Sequence, residues 1–142
     1  MGKLNFSINI DATKERVWEV LFDKWTYREW TSVFAPGSYA ETDWKEGSKA
    51  LFLDGKGNGM VSRIAKSIPY QYLSIEHLGE MENGKENTVN SEWTGATENY
   101  SLDQSGKSTV LKIEMDTNNK WEDYFSKTWP LALNKVKDIS EK

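Results

Sequence analysis

What most narrows the fold of this chain lies at its two ends. Leu4, Phe6, Ile8 and Ile10 alternate with polar neighbours, the period of a half-buried strand. An apolar stripe of helical spacing follows almost at once, with Val17, Val20 and Leu21 at i, i+3 and i+4 and with Trp18 and Phe22 widening it. Asp11 or Thr13 can cap this helix, since each carries a side-chain oxygen for a free backbone N–H. The far end answers with a second amphipathic helix over residues 120–139, whose stripe is Trp121, Phe125, Trp129, Leu133 and Val136. Pro130 sits inside it and predicts a kink or break near residues 125–129, because proline removes an i→i−4 bond and clashes with the preceding turn. Trp18 and Leu133 are expected to be largely buried, one on each terminal stripe.

Between these ends lie strands and turns, apart from a second short helix over residues 27–34 that Pro36-Gly37 closes. Strand segments are expected over 38–42, 50–53, 60–66 and 72–79, with Gly55-Lys56-Gly57-Asn58-Gly59 turning one hairpin. The 72–79 strand puts Leu73, Ile75 and His77 on one face and Tyr72, Ser74, Glu76 and Leu78 on the other. Residues 80–95 are polar and poorly periodic, an extended loop with Trp93 as its one large anchor. A final hairpin joins 97–102 to 109–115 around Ser105-Gly106. The whole chain, 1–142, reads as one α+β domain: a sheet bracketed by helices, with a hydrophobic cradle between them.

Composition excludes several functions. Eighteen basic against 22 acidic residues leave a net charge of −4, with no basic run to neutralise phosphates, so nucleic-acid binding is not expected. There is no cysteine, which removes disulfides, thiolate catalysis and cysteine metal sites. No apolar window has the length of a membrane helix, and Met1 to Ser7 carries no secretory h-region, so a cytoplasmic location is the expectation. Aromatic residues make up 13% of the chain, with seven Trp, enough to build a core from large rings and to line a cavity with some of them.

Ile10-Asp11-Ala12 followed by Val17-Trp18, Leu21 and Trp30 resembles the opening signature of the START-like (SRPBCC, Bet v 1-like) superfamily. The branch it resembles is the one named for the activator of Hsp90 ATPase homologue 1-like domain. Gly59-Met60-Val61 entering a strand, Pro69 before the Leu73 strand, Glu98-Asn99-Tyr100-Ser101-Leu102, and Trp129-Pro130 with Leu133 fit the same pattern in the same order. The resemblance implies a helix-grip fold: a curved antiparallel sheet of six to seven strands around a long C-terminal helix, with two short helices after the first strand. It also implies a cavity for a small hydrophobic or amphipathic ligand. A chaperone-associated module acting on an Hsp90-type ATPase and a cyclase- or hydrolase-type enzyme are the alternatives within the family.

The expected site follows from the facing stripes: Ile75, His77, Glu98 and Tyr100 from strands, and Trp121, Phe125 and Trp129 from the last helix. Rings supply contact area, and His77 and Glu98 supply polar anchors for a ligand. His77 is the chain's one histidine, so no histidine metal cluster or His-based triad is expected, and neither a metal nor a cofactor is called for. If Glu98 faces inward it must find a partner, Arg63 or His77, although a one-residue shift of register would turn it to solvent. The glycine-rich 55–59 segment precedes a strand, so it is a hairpin turn and not a phosphate loop. Glu80, Glu82, Glu86 and Glu92 match no calcium spacing and read as a solvated face.

Overall fold

A computed structural model describes residues 2–89 and 91–142. The first strand, β1 (Gly2–Ile10), runs straight into two short helices, α1 (Lys14–Phe22) and α2 (Lys24–Thr31). Thr13 caps the first through a 3.2 Å hydrogen bond from Arg16 N–H, and Asp23 caps the second through one of 3.1 Å from Trp25 N–H. Asp23 explains why α2 begins three residues before the sequence pattern suggests: the cap starts a new helix one residue after the old one ends.

Seven strands follow: β2 (Tyr39–Glu41), β3 (Lys49–Leu53), β4 (Gly59–Ile68), β5 (Tyr72–Glu82), β6 (Lys85–Asn87), β7 (Thr97–Ser105) and β8 (Ser108–Thr117). All pairs are antiparallel, in the order β1-β8-β7-β5-β4-β3-β2. The extra strand relative to the expected six or seven is β6. It folds back on β5 within the segment read as a loop, pairing Glu80 with Asn87 and Glu82 with Lys85. Thus one side of β5 is shared, by β7 along Tyr72–Glu76 and by β6 along Glu80–Glu82.

The chain closes with α3 (Asn119–Ser140), capped by Asn118, whose side-chain oxygen accepts from Trp121 N–H at 3.1 Å. Pro130 does not break it: the helix runs unbroken across the proline. The proline ring is exposed while Trp129, Ala132 and Leu133 beside it are buried, so packing on one face holds both halves in one helix. The end of α3 is tied to the start of the chain. Arg16 donates to the Ile139 carbonyl at 3.1 Å, and Lys137 donates to the Asn9 carbonyl at 3.2 Å.

Burial along α3 divides it in two. Thr128, Trp129, Ala132, Leu133, Val136, Ile139 and Ser140 are buried, whereas Trp121 and Phe125 in the first half are only partly so. Leu133 joins Val17, Leu21, Ile64, Leu111 and others in a continuous core. Trp18 is less deeply buried than Leu133: it packs against the edge of that core, its ring set edge-on to Phe22 at 4.8 Å and to Tyr70 at 6.1 Å, because Val17, Val20 and Leu21 take the inward face of α1.

Two measurements check this packing. Leu133→Ala should lower unfolding stability by about 2–5 kcal/mol in denaturant titration, the range for emptying a buried leucine site, and Trp18→Ala should cost less. Gly79→Ala should cost about 1–3 kcal/mol, because a methyl group there would stand 2.2 Å from the Asn87 carbonyl oxygen.

Candidate functional site

Beneath the first half of α3 lies a partly open cavity of about 380 Å³, walled by α2, the strands and α3. Its position follows from the division along the helix. The second half seals onto α1 and β1, while the first half is held off the sheet by large rings. Trp121 and Phe125 form that wall with Trp93, whose ring meets Phe125 edge-on at 6.3 Å. Tyr124 closes one side, donating from its hydroxyl to the Phe34 carbonyl at 2.8 Å. Trp129 marks where cavity gives way to core, stacking on Phe6 and meeting Trp30, Phe34 and Tyr100 within 6.2 Å.

Of the residues singled out from sequence, His77, Glu98, Tyr100, Trp121, Phe125 and Trp129 all line this cavity. Ile75 does not. It is 2% exposed and belongs to the packed core. The strand register brings the polar groups together: Ser62 on β4 lies opposite His77 on β5, and Glu98 on β7 lies opposite Ile75, the residue two before His77. Ser62 Oγ and His77 Nδ1 share a 2.7 Å hydrogen bond, and His77 Nε2 faces Glu98 Oε1 at 3.9 Å, too far for a direct hydrogen bond. The Tyr100 hydroxyl donates to the other oxygen of Glu98. Arg63 turns away to pair with Glu76 at 2.5 Å. Burial first, and then the negative charge of Glu98, push the phenols of Tyr27 and Tyr100 well above their ordinary range, so both keep their protons.

This chain of groups can hold and orient a polar head. Ser62 is fully buried and outside the lining, so it fixes the imidazole ring instead of attacking a bound molecule. Among the described residues no group of three or more acidic or histidine side chains converges as a metal ion would require.

Several lining residues lie outside the set expected from sequence. Tyr27, Trp30 and Phe34 present one face from α2 and the residues after it, a helical spacing that was available as a signal. Phe52 and Met60 come from β3 and β4. Glu80 is the instructive case, since it lines the cavity instead of sitting in a solvated loop. A bulge at Leu78 is the cause: Val61 pairs with Gly79 but Ser62 pairs with His77, so one residue is skipped and the faces of β5 exchange beyond it. At the rim, burial alone would raise the Asp116 carboxyl. A 2.9 Å ion pair from Lys3 and a 2.8 Å hydrogen bond from Thr97 N–H outweigh it and hold that group below its usual 3.8.

The family model for activator of Hsp90 ATPase homolog 1-like protein matches residues 11–141. No match is found among curated proteins. The fold is shared with protein MLL2253 from Mesorhizobium loti at TM-score 0.77 and 12% identity, covering 97% of this chain and 96% of that one. It is shared with the Aha1 dimer from Colwellia psychrerythraea at TM-score 0.73 and 20% identity, covering 99% and 97%. CalU16 from Micromonospora echinospora superposes at TM-score 0.67 and 18% identity, over 95% and 71%. Among the described residues no helix is long and apolar enough to cross a membrane.

The Asp116 geometry has a pH consequence. A carboxyl whose folded value is depressed adds stability that is present above its unfolded value and disappears as the pH falls through the folded one. Wild-type stability should therefore fall as the pH drops below about 4, and Asp116→Asn should flatten that slope in denaturant titrations.

Proposed function

Given that the chain belongs to the activator of Hsp90 ATPase homologue 1-like family, we propose that it binds a small hydrophobic or amphipathic molecule in the cavity beneath the first half of α3. The observation that carries this reading is the uneven burial of α3. Its C-terminal half is packed dry, while Trp121 and Phe125 in its N-terminal half stand over a space of about 380 Å³, within the range of small-molecule sites. A helix that served only as core would bury both halves alike.

The polar groups support binding over chemistry. Ser62, His77, Glu98 and Tyr100 form one hydrogen-bonded and electrostatic chain against an aromatic wall, which suits recognition of a head group. The indole N–H groups of Trp121 and Trp129, both in cavity-lining residues, are buried without a protein acceptor. An unpaired donor of this kind costs roughly 1–3 kcal/mol, which a site tolerates more readily than a core designed for stability alone.

Nile red, an uncharged environment-sensitive probe, tests the reading. It should enter the cavity with enhanced emission and with a change in tryptophan fluorescence, since Trp30, Trp93, Trp121 and Trp129 line the space. Phe125→Ala and Trp129→Ala should each weaken binding by roughly fivefold or more, about 1 kcal/mol. No saturable binding of this probe or of a broad lipid and aromatic panel would defeat the proposal and favour a chaperone-associated role.

A further inference from the structure

Building on that ligand-binding reading, we infer that the cavity selects an amphipathic organic cation, an ammonium group carried on an apolar body. Nearly half of the lining residues are aromatic, and four carboxylates share the wall: Asp54, Glu80, Glu98 and Asp116. Among the described residues no lysine or arginine lines it. A site for a carboxylate, sulfate or phosphate head would be expected to carry lysine or arginine instead, because an anion in an apolar cavity is held best by a cation that replaces its water.

The carboxylates differ in what they can offer. Asp116 is taken up by Lys3 and Thr97, and Asp54 accepts backbone N–H groups from Lys56 and Asn58 at 2.7 and 3.2 Å. Glu98 and Glu80 form no ion pair with lysine or arginine among the described residues. Glu98 is held by the Tyr100 hydroxyl, which orients it without cancelling its charge, and His77 stands beyond hydrogen-bond reach. Tyr27 and Tyr100, both close enough to feel that charge, keep neutral π faces at the same wall. A carboxylate among Tyr and Trp faces is the surrounding that attracts an alkylated ammonium, through Coulombic and cation–π terms together. Lys120 Nζ stands 5.8 Å from the centroid of the neighbouring Trp121 ring. Glu80 reaches this wall only through the bulge at Leu78, which is why strand alternation conceals the second charge.

Three probes with one alkyl chain and different heads decide the matter: decyltrimethylammonium, decanol and decanoate, measured by calorimetry near neutral pH below their micelle concentrations. Decyltrimethylammonium should bind about tenfold or more tighter than decanoate, with decanol between them. Glu98→Gln should reduce that preference for the cation over decanoate by at least about fivefold, and Glu80→Gln, at a half-buried position with no ion pair among the described residues, should do so to a smaller degree. If Glu98→Gln fails to fold, Glu80→Gln carries the test. If decanol or decanoate binds as tightly as the cation, or if the cation preference survives in every folded variant, the cation inference is overturned while the ligand reading stands. If none of the three binds, the cation inference is overturned, and the ligand reading stands or falls separately with Nile red.

Discussion

The structure turns on the contact that Trp129 makes between helix and sheet. Its ring is 3% exposed and touches Phe6 from β1, Trp30 from α2, Phe34 just beyond it and Tyr100 from β7. A straight helix of 22 residues, roughly 33 Å long, cannot stay in contact with a twisted, curved sheet along its whole length. It packs closely at one end and parts from the sheet at the other, and Trp129 is the pivot. Beyond it Leu133 and Val136 complete a dry core. Before it the gap is propped open by Phe125, Trp121 and Trp93.

The polar floor of that gap depends on the sheet in the same way. Glu98 enters an apolar cavity because β7 keeps Glu98 and Tyr100 on one face, as Tyr100 and Leu102 sit in the core beside it. Removing a carboxylate from water is expensive, and the structure compensates with a tyrosine hydroxyl instead of a lysine or arginine. A fold selected only for stability would more readily place a leucine there. The same holds for the two indole N–H groups left without protein acceptors in the cavity wall. Most of these local violations of good packing chemistry gather in one place, Ser140 Oγ at the end of α3 being the other buried side-chain atom without a partner among the described residues, and such clustering is the pattern expected of a site.

How much of this was legible in sequence depends on whether periodicity survived. The alternation of Leu4, Phe6, Ile8 and Ile10, the α1 stripe and the α3 stripe pointed to an α+β sheet bracketed by helices, the family resemblance implied the helix-grip arrangement, and the fold and the family match agree with both. The same logic brought His77, Glu98, Tyr100, Trp121, Phe125 and Trp129 to one cavity, because each lay on a face whose period was unbroken. It misled at Ile75, which shares the inward face but lies too deep, under packed side chains. It failed at Glu80 because a bulge has no mark in an alternation pattern, and at β6 because three polar residues show no period at all. Trp18 is only partly buried for another reason: a helical stripe is wider than the surface it can bury, and a large ring at its edge keeps some exposure.

Pro130 is the remaining departure, and the two-part helix accounts for it. A proline at this position has no N–H to give to the Ser126 carbonyl, so α3 lacks one rung there. That rung falls where the helix passes from cavity wall to core. On its core side Ala132, Leu133 and Val136 hold the backbone; on its cavity side Tyr124 is anchored to Phe34 and Thr128 Oγ1 donates to the Tyr124 carbonyl at 2.7 Å. Each half is thus held by its own contacts, so the missing bond need not open into a break. Tertiary packing on one face outweighs a local propensity penalty of about 3 kcal/mol. The proline therefore marks the border between the part of α3 that stabilises the fold and the part that covers the cavity.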